Sequence, residues 1–291
     1  MNAGVPRNDP VRLPDAAIDF LLDEDVRFGD VTMRALGIGH RLGRMTFTAR
    51  QELILCGADE ASRMLARLGA SVTFAAQAGT RSGKGVLLFE AEGPAAALHA
   101  GWKAAQTLME WASGMATLTH EIVAAARACA PRIAILCTRK AAPFTRQLSM
   151  KAVIAGGGEI HRLGLSDTIM LFDEHRAFLE QPTDLKALIA KVKERTPERA
   201  VMVEVSSEAD AFEAAEAMAD VIQFEKFVPD AVARVVPGIR KRMDGRPIIA
   251  AAGGINAQNA GDYAKAGADT LGTSAPYYAK PMDIQVCIRP L

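Results

Sequence analysis

The sequence has no excess of charge, no long apolar run and no closely spaced cysteines. Its 34 basic side chains balance 34 acidic ones over 291 residues, so it lacks the net positive charge that favours non-specific binding to nucleic acid or anionic membranes. No uninterrupted apolar run approaches the roughly 20 residues that span a bilayer, and the first ten residues hold no apolar signal-peptide core. We expect a soluble, cytoplasmic protein with no nucleic-acid or membrane partner.

The four cysteines are widely separated, and no Cys-x-x-Cys pair occurs. Reduced thiols are therefore expected rather than disulfides or a zinc site. Low-complexity segments are also missing, and the length suits one large domain or two of moderate size. The cysteines are Cys56, Cys129, Cys137 and Cys287.

From about residue 130 the sequence alternates between short apolar runs and segments with helical spacing. This alternation indicates βαβ units and a parallel sheet that is buried on both faces. The apolar runs are RIAILCTRK, DTIMLFDEH, AVMVEVSS, DVIQFEKF, RPIIAAAGG and DTLGTSA. The helical segments are SMKAVIAGGGEIHR, TDLKALIAKVKERT, EADAFEAAEAMA, PDAVARVVPGIRKRM and NAQNAGDYAKAGA.

Polar or glycine residues follow each of the six predicted strands, which favours a barrel over a doubly wound sheet. In a barrel the loops after all the strands converge on one ligand, whereas a doubly wound sheet concentrates its site at one switch point. We therefore predict an α/β barrel over residues 113–275. The groups at the strand ends are Thr138–Arg139–Lys140, Asp173–Glu174–His175, Glu204, Glu225, Gly253–Gly254 and Thr273–Ser274.

Residues 1–112 show a different pattern and are predicted to form a separate α+β domain. A helix, DAAIDFLLDEDV, precedes the strand candidates RMTFTARQ, ELILCG, SVTFAA and GVLLFEAEG, and a second helix, ADEASRMLARLG, lies among them. Residues 94–130 have helical periodicity throughout and are interpreted as a bridge between the two domains.

A cluster of cations follows the first barrel strand. Five of them lie between residues 139 and 162, against one acid, Glu159. Arginine and lysine directly after a buried strand indicate an anion site, and the guanidinium fork suits carboxylates and phosphates. Lys151, in contrast, is interpreted as part of a solvated helix face. The cations are Arg139, Lys140, Arg146, Lys151 and Arg162.

Acids and glycines at the later strand ends point to a sugar phosphate. Glu204 and Glu225 could hold Mg²⁺ or hydrogen-bond sugar hydroxyls, or each could pair with a neighbouring arginine. The glycines of AAAGGIN and the small residues of GTSAP resemble a barrel phosphate site built from backbone N–H groups, although an ordinary tight turn has the same composition. Together with the cations, these features suggest a phosphorylated sugar that carries pyrophosphate.

The motifs TRK, GGGEIHRLGLSDTIMLFDEH, VEV, AAAGGIN and DTLGTSA occur in the order found in quinolinate phosphoribosyltransferases, and EDVRFGDVT and SGMATLT also fit. The sequence thus resembles these type II enzymes, which are also called carboxylating nicotinate-nucleotide pyrophosphorylases. The resemblance implies an N-terminal α+β sandwich and an incomplete α/β barrel, with residues 276–291 returning to the first domain. It also implies a homodimer in which a basic residue of the helical bridge enters the partner's active site.

The resemblance assigns the acceptor end of the site to the cationic motifs. Arg139 and Arg162 would hold the carboxylates of the acceptor, with His161 beside them. Lys103 would be the bridge residue that crosses to the partner. Thr138 belongs to the same substrate-binding motif as Arg139.

The donor end is assigned to the later motifs in the same way. Lys140 would face phosphoribosyl pyrophosphate, while Glu204 and Glu225 would face the ribose hydroxyls and a Mg²⁺ cofactor; these three are the predicted catalytic residues. The 5′-phosphate would be bound by the glycine and hydroxyl motifs, namely Gly253, Gly254, Thr273 and Ser274.

The sequence departs from the family pattern at several of these positions. Phe172 stands where a substrate-facing lysine is expected, Cys137 replaces an aspartate and Lys103 replaces an arginine. Glu225–Lys226 replaces Asp-Asn, and residues 276–279 read PYYA in place of LTHS. These changes resemble a side branch of the family, the ModD proteins of molybdenum-transport operons.

The resemblance implies transfer of a 5-phosphoribosyl group to a ring nitrogen with release of pyrophosphate. Since the acceptor pocket has lost a cation and gained the stacking surface of Phe172, we favour an aromatic acceptor that is less anionic than quinolinate. One alternative is an authentic quinolinate phosphoribosyltransferase, which would form nicotinate mononucleotide and CO₂ in NAD biosynthesis. Another is a non-catalytic protein that binds an anion or a molybdenum-related ligand.

Overall fold

The computed structural model describes residues 11–179, 184–244 and 246–291. In chain order its first half contains α1 (Asp15–Val26), α2 (Val31–Leu36), β1 (Leu42–Ala49), β2 (Leu53–Ile54), α3 (Ala58–Arg67), β3 (Ser71–Ala75), β4 (Arg81–Ser82), β5 (Leu87–Pro94) and α4 (Ala95–Arg127). The second half contains β6 (Ala134–Cys137), α5 (Arg146–Ala155), β7 (Glu159–Ile160), β8 (Ile169–Leu171), α6 (Asp173–Arg176), α7 (Leu185–Arg195), β9 (Val201–Val205), α8 (Glu208–Glu216), β10 (Val221–Glu225), α9 (Pro229–Arg242), β11 (Ile248–Ala252), α10 (Ala260–Lys265), β12 (Thr270–Thr273) and β13 (Ile284–Pro290).

The chain divides into two compact units. Of the described residues, the first unit contains those up to His120 together with Ala141–Gly157 and Pro276–Leu291, and the second contains those in Glu121–Lys140 and Gly158–Ala275. In the part of the chain that the structure describes, no helix is both long enough and apolar enough to cross a membrane.

The first unit is built on a four-stranded antiparallel sheet in the order β13-β1-β5-β3. Alternate residues of β1, namely Met45, Phe47 and Ala49, are buried, as expected for a strand with one face on the core. Phe47 meets Phe89 of β5 edge to face, with ring centroids 5.3 Å apart. Buried side chains of α1, α3, α4 and α5 complete this core.

The second unit contains a seven-stranded parallel sheet in the order β7-β6-β12-β11-β10-β9-β8. Strands β8 to β12 pair in chain order. The last strand, β12, then pairs with the first, β6, as the first and last strands of a barrel do. Within the described residues β7 and β8 do not pair, so the curled sheet is open between these two strands. The predicted class, an incomplete parallel α/β barrel preceded by an α+β unit, is therefore confirmed.

One predicted helix is wrong at its end. The helical pattern was assigned up to Arg162, but α5 ends at Ala155, and Glu159–Ile160 form the short strand β7. The glycines explain the break, because Gly157 has a φ of +85°. A Cβ on Gly156 would lie 2.4 Å from the carbonyl oxygen of Ala116 on α4, so glycine permits a close approach between the two helices.

The interpretation of Lys151 as a solvated residue is also wrong. Only 6% of its surface is exposed, and its Nζ donates to Glu60 Oε1 at 2.7 Å and to the carboxylate of Asp59. Both acids lie on α3 in the same unit. Lys151 therefore forms ion pairs with two carboxylates in the core of the first unit and is not part of the cation cluster.

Candidate active site

A cavity of about 740 Å³ lies at the carboxyl ends of the parallel strands in the second unit. Loops after parallel strands meet at that edge of the sheet, which is where barrel active sites form. All the predicted site residues except Lys103 line this cavity: Thr138, Arg139, Lys140, His161, Arg162, Phe172, Glu204, Glu225, Gly253, Gly254, Thr273 and Ser274.

One side of the cavity is cationic. Arg139 and Lys140 follow β6, and Arg162 follows β7. Within the described residues none of the three forms a salt bridge, although the charge of Asp167 partly offsets the repulsion at Arg162. The Nε of Arg162 is buried without a hydrogen-bond acceptor. Burial and the charge of Arg139 lower the pKa of Arg162, and burial together with Arg162 lowers the pKa of His161. A bound anion would relieve this repulsion.

The opposite side of the cavity carries carboxylates. Glu204 lies on β9, and Gln223 and Glu225 lie two residues apart on β10, so both project from the same face of that strand. Gln223 Nε2 donates to Glu204 Oε2 at 2.6 Å. Burial, and then the charge of Glu225, raise the pKa of Glu204 above its ordinary value. No arginine neutralises either acid in the ranges that the structure describes, so the alternative of arginine pairs is not supported.

The two acids fit a magnesium ion only in part. Among the described residues no group of three His, Cys, Asp or Glu side chains could hold a metal by itself. Mg²⁺, however, commonly binds through one or two carboxylates together with substrate phosphates and retains several waters. Glu204 and Glu225 form no ion pair among the described residues. The charge of Lys140 partly offsets the repulsion that raises the pKa of Glu204, and a bound cation would offset it further. The donor set therefore fits a Mg²⁺ that arrives with a phosphorylated substrate.

A glycine loop follows β11 and lines the cavity between these two sides. Side-chain hydrogen bonds hold the loop. Thr273 Oγ1 donates to the carbonyl of Ile255 at 2.6 Å, and Asn259 Nδ2 donates to the carbonyl of Gly254 at 3.0 Å. The backbone N–H groups of Gly254, Ile255 and Ser274 have no acceptor among the described residues. A loop held in this way presents N–H groups to an anion without further ordering.

Replacing Gly253 is expected to lower the free energy of unfolding more than replacing Gly254. Its φ is +93°, and an added Cβ would lie 2.8 Å from the backbone nitrogen of Lys226. Gly254 has a φ of +82°, but its Cβ would meet open space. We expect Gly253→Ala to cost about 2–3 kcal/mol and Gly254→Ala about 1 kcal/mol in urea unfolding. Equal losses in the two variants would show that the close contact with Lys226 is unimportant.

Phe172 provides the aromatic surface of the cavity. It follows β8, and its ring stacks on His175 with centroids 5.4 Å apart and an interplanar angle of 23°. The backbone nitrogen of Phe172 donates to His175 Nδ1 at 3.1 Å, which holds the imidazole in place beneath the ring. His175 therefore covers part of one face of the Phe172 ring.

Several lining residues were not predicted, among them Gln223, Asn256 and Glu174. A polar glutamine inside the apolar strand VIQFE, two positions before Glu225, is a signal that could have identified Gln223. Glu174 belongs to a polar group that was noticed at a strand end, but no role was assigned to it. Asn256 holds the turn of the glycine loop, since its backbone nitrogen donates to Asn259 Oδ1 at 2.8 Å.

The structure shows the surroundings of Lys103 and Cys137, two positions at which the sequence departs from the family pattern. Lys103 is exposed on α4 in the first unit, where its Nζ donates to Gln106 Oε1 at 2.9 Å and lies 4.7 Å from the ring centroid of Trp102. Its assignment to a partner's site stays a prediction. Cys137 is fully buried, and burial raises the pKa of its thiol to about 12, so it is an inert core residue.

A sheet unit followed by an incomplete parallel barrel, with a cavity at the strand ends, is the fold of the type II phosphoribosyltransferases. The chain belongs to the quinolinate phosphoribosyl transferase family: the family's N-terminal domain matches residues 30–113 and its C-terminal domain matches residues 115–287. The predicted family is confirmed, and with it a pentosyltransferase type of enzyme.

The similar proteins include ModD proteins, as predicted. ModD from Rhodobacter capsulatus, provisionally named a pyrophosphorylase, is 46% identical over 255 residues, which are 88% of this chain and 97% of that protein. ModD from Escherichia coli O157:H7, with the same provisional name, is 40% identical over 281 residues, or 96% and 98% of the two chains. The crystal structure of NadC from Streptococcus pyogenes superposes with a TM-score of 0.85 at 26% identity, covering 95% of this chain and 98% of that one.

Proposed function

We propose that the protein transfers a 5-phosphoribosyl group from phosphoribosyl pyrophosphate to a ring nitrogen of an aromatic acceptor and releases pyrophosphate. The observation that carries this proposal is the combination of groups in one cavity. It contains three cations and two carboxylates that form no ion pair within the described residues, together with a loop that has free N–H groups. A phosphorylated sugar with a pyrophosphate leaving group meets all three.

The donor would lie along the glycine loop and the acidic side. The N–H groups of Gly254 and Ser274 would bind the 5′-phosphate, and Glu204 and Glu225 would accept hydrogen bonds from the ribose hydroxyls. A Mg²⁺ ion held by these carboxylates and the donor would neutralise part of the pyrophosphate charge. Lys140 would bind the leaving pyrophosphate.

The chemistry would be a displacement at C1′ of the ribose. The bond between C1′ and the pyrophosphate oxygen breaks as the ring nitrogen supplies the electron pair for the new C1′–N bond. The ribose passes through an oxocarbenium-like state, and the hydrogen bonds that Glu204 and Glu225 accept from its hydroxyls would stabilise the developing positive charge. Most of the acceleration would come from holding the two substrates in line.

The acceptor would lie on the cationic side, near Phe172. Arg139 and Arg162 can bind an anionic substituent through bidentate hydrogen bonds, and the open face of Phe172 can stack on an aromatic ring. Because Phe172 brings no charge, we propose an acceptor that is less anionic than a dicarboxylate. An authentic quinolinate phosphoribosyltransferase is the second candidate, since two arginines without partners also suit two carboxylates.

The test is release of pyrophosphate in the presence of phosphoribosyl pyrophosphate, Mg²⁺ and a panel of heteroaromatic acids and bases that includes quinolinate. Mass spectrometry identifies the nucleotide product. We expect release that requires both substrates. Release of CO₂ with quinolinate, at a rate equal to that with the best acceptor, would favour the second candidate. Donor binding without a product from any acceptor would contradict both and leave an anion-binding protein.

A further inference from the structure

The two edges of the open barrel present opposite charges to the cavity. The sheet is open between β7 and β8, so the loops after these strands line the cavity from its two free edges. His161 and Arg162 follow β7, whereas Phe172 and Glu174 follow β8. An acceptor bound between these edges would therefore meet cationic side chains at the β7 edge and none at the β8 edge.

Glu174 is a carboxylate in this cavity that has no partner among the described residues. It lies at the first turn of α6, and its charge is near enough to raise the pKa of Glu204 further. A carboxylate at this place repels an anionic substituent and accepts a hydrogen bond from an N–H group. Glu174 lines the cavity and is exposed, so its carboxylate is accessible to a bound ring.

Phe172 also makes the β8 edge unfavourable for an anionic group. Part of one face of its ring is covered by His175, so a ligand meets mainly the other face or the ring edge. A carboxylate placed there would lose hydration and gain no donor from the phenyl ring. The β8 edge thus disfavours a second anionic group on the acceptor by both desolvation and charge.

We propose that Phe172 and Glu174 select an N-heteroaromatic acceptor with one anionic substituent toward Arg139 and Arg162 and one N–H donor toward Glu174. Aminopyridine carboxylates are the simplest members of this class. The inference rests on the proposed function, because it assumes that the acceptor occupies the space between the two edges. Phe172 and Glu174 are then specificity residues of the acceptor pocket.

The experiment compares acceptor binding and turnover separately. Binding of quinolinate, nicotinate and the 2-, 5- and 6-aminonicotinates is measured by calorimetry with phosphoribosyl pyrophosphate and Mg²⁺ at temperatures where turnover is slow. Pyrophosphate release is measured with the same compounds. The variants are Glu174→Gln, Phe172→Lys and, as a matched control, Glu213→Gln, which changes an exposed acid of α8 outside the cavity.

We expect at least one aminonicotinate to bind about 10-fold or more tightly than quinolinate, because a hydrogen bond to a charged group is worth that much. Glu174→Gln should remove most of that advantage and leave nicotinate within about 2-fold, while Phe172→Lys should improve quinolinate about 10-fold. Glu213→Gln should change nothing. Equal binding of quinolinate and every aminonicotinate by the unchanged protein, or an aminonicotinate preference that survives Glu174→Gln, would overturn the inference. If the expected preferences appear in binding but no acceptor releases pyrophosphate, the selectivity stands and the proposed reaction fails.

Discussion

Replacing Lys151 with methionine is expected to destabilise the protein by about 3–5 kcal/mol at pH 8, the cost of leaving buried charge without its partner. Lys151 Nζ is 2.7 and 2.9 Å from the two carboxylate oxygens of Glu60 and also bonds Asp59. Glu60 is fully buried. Methionine preserves most of the side-chain volume, so the loss would come from charge and not from a cavity.

The loss should depend on pH in a defined direction. Burial and the neighbouring Asp59 raise the pKa of Glu60 to about 7. A folded-state pKa above the unfolded value favours the folded protein at low pH, and this contribution is lost as the pH rises from about 4.5 through about 7. Without Lys151, Glu60 is protonated in the folded protein at pH 6, so Lys151→Met should be destabilised less at pH 6 than at pH 8.

Urea unfolding at the two pH values measures both effects. Lys84→Met changes an exposed lysine in the same unit and should cost less than about 0.5 kcal/mol. The double variant Glu60→Gln with Lys151→Met should recover part of the loss, because only Asp59 then remains charged. A loss below about 1 kcal/mol at pH 8 would show that water reaches these carboxylates.

Replacing Arg139 with alanine is expected to lower kcat/KM for pyrophosphate release by about 100- to 1,000-fold. Two charge-assisted hydrogen bonds from one guanidinium, at about 1.5–2 kcal/mol each, the lower part of their usual range, account for a loss of this size. Arg139→Lys should recover only part of the activity, since the ammonium group keeps the charge but not the planar fork. The assay is the one described for the proposed function, with the best acceptor of the panel.

Although Arg139→Ala should lose activity, we do not expect it to lose stability. Arg139 has no carboxylate partner within the described residues and lowers the pKa of Arg162 by repulsion. Arg139→Ala should therefore unfold at the same urea concentration as the unchanged protein or at a slightly higher one. Arg146→Ala, which removes an exposed arginine outside the cavity, should leave both activity and stability unchanged. An active Arg139→Ala variant would place the acceptor elsewhere in the cavity.

Much of the site was predictable because parallel strands bring distant residues together by a simple rule. Thr138–Arg139–Lys140, Glu204 and Gly253–Gly254 are far apart in the sequence, but each follows an apolar run that forms a barrel strand. The carboxyl ends of such strands share one edge, so the order of motifs was enough to place these residues in one cavity. Gln223 was missed because it lies within a strand, where polar residues are usually explained by packing.

The sequence by itself determined the alternation of strands and helices, the barrel class and the residues at its carboxyl edge, because these follow from hydrophobic periodicity and the geometry of parallel sheets. Only the tertiary structure decided which cations share the cavity. Lys151 lies among the same five cations as Arg139 and Arg162, yet its partners Asp59 and Glu60 are 92 and 91 residues earlier in the chain. Tertiary packing decides such pairings, because the local sequence around a charged residue does not show which distant helix will pack against it.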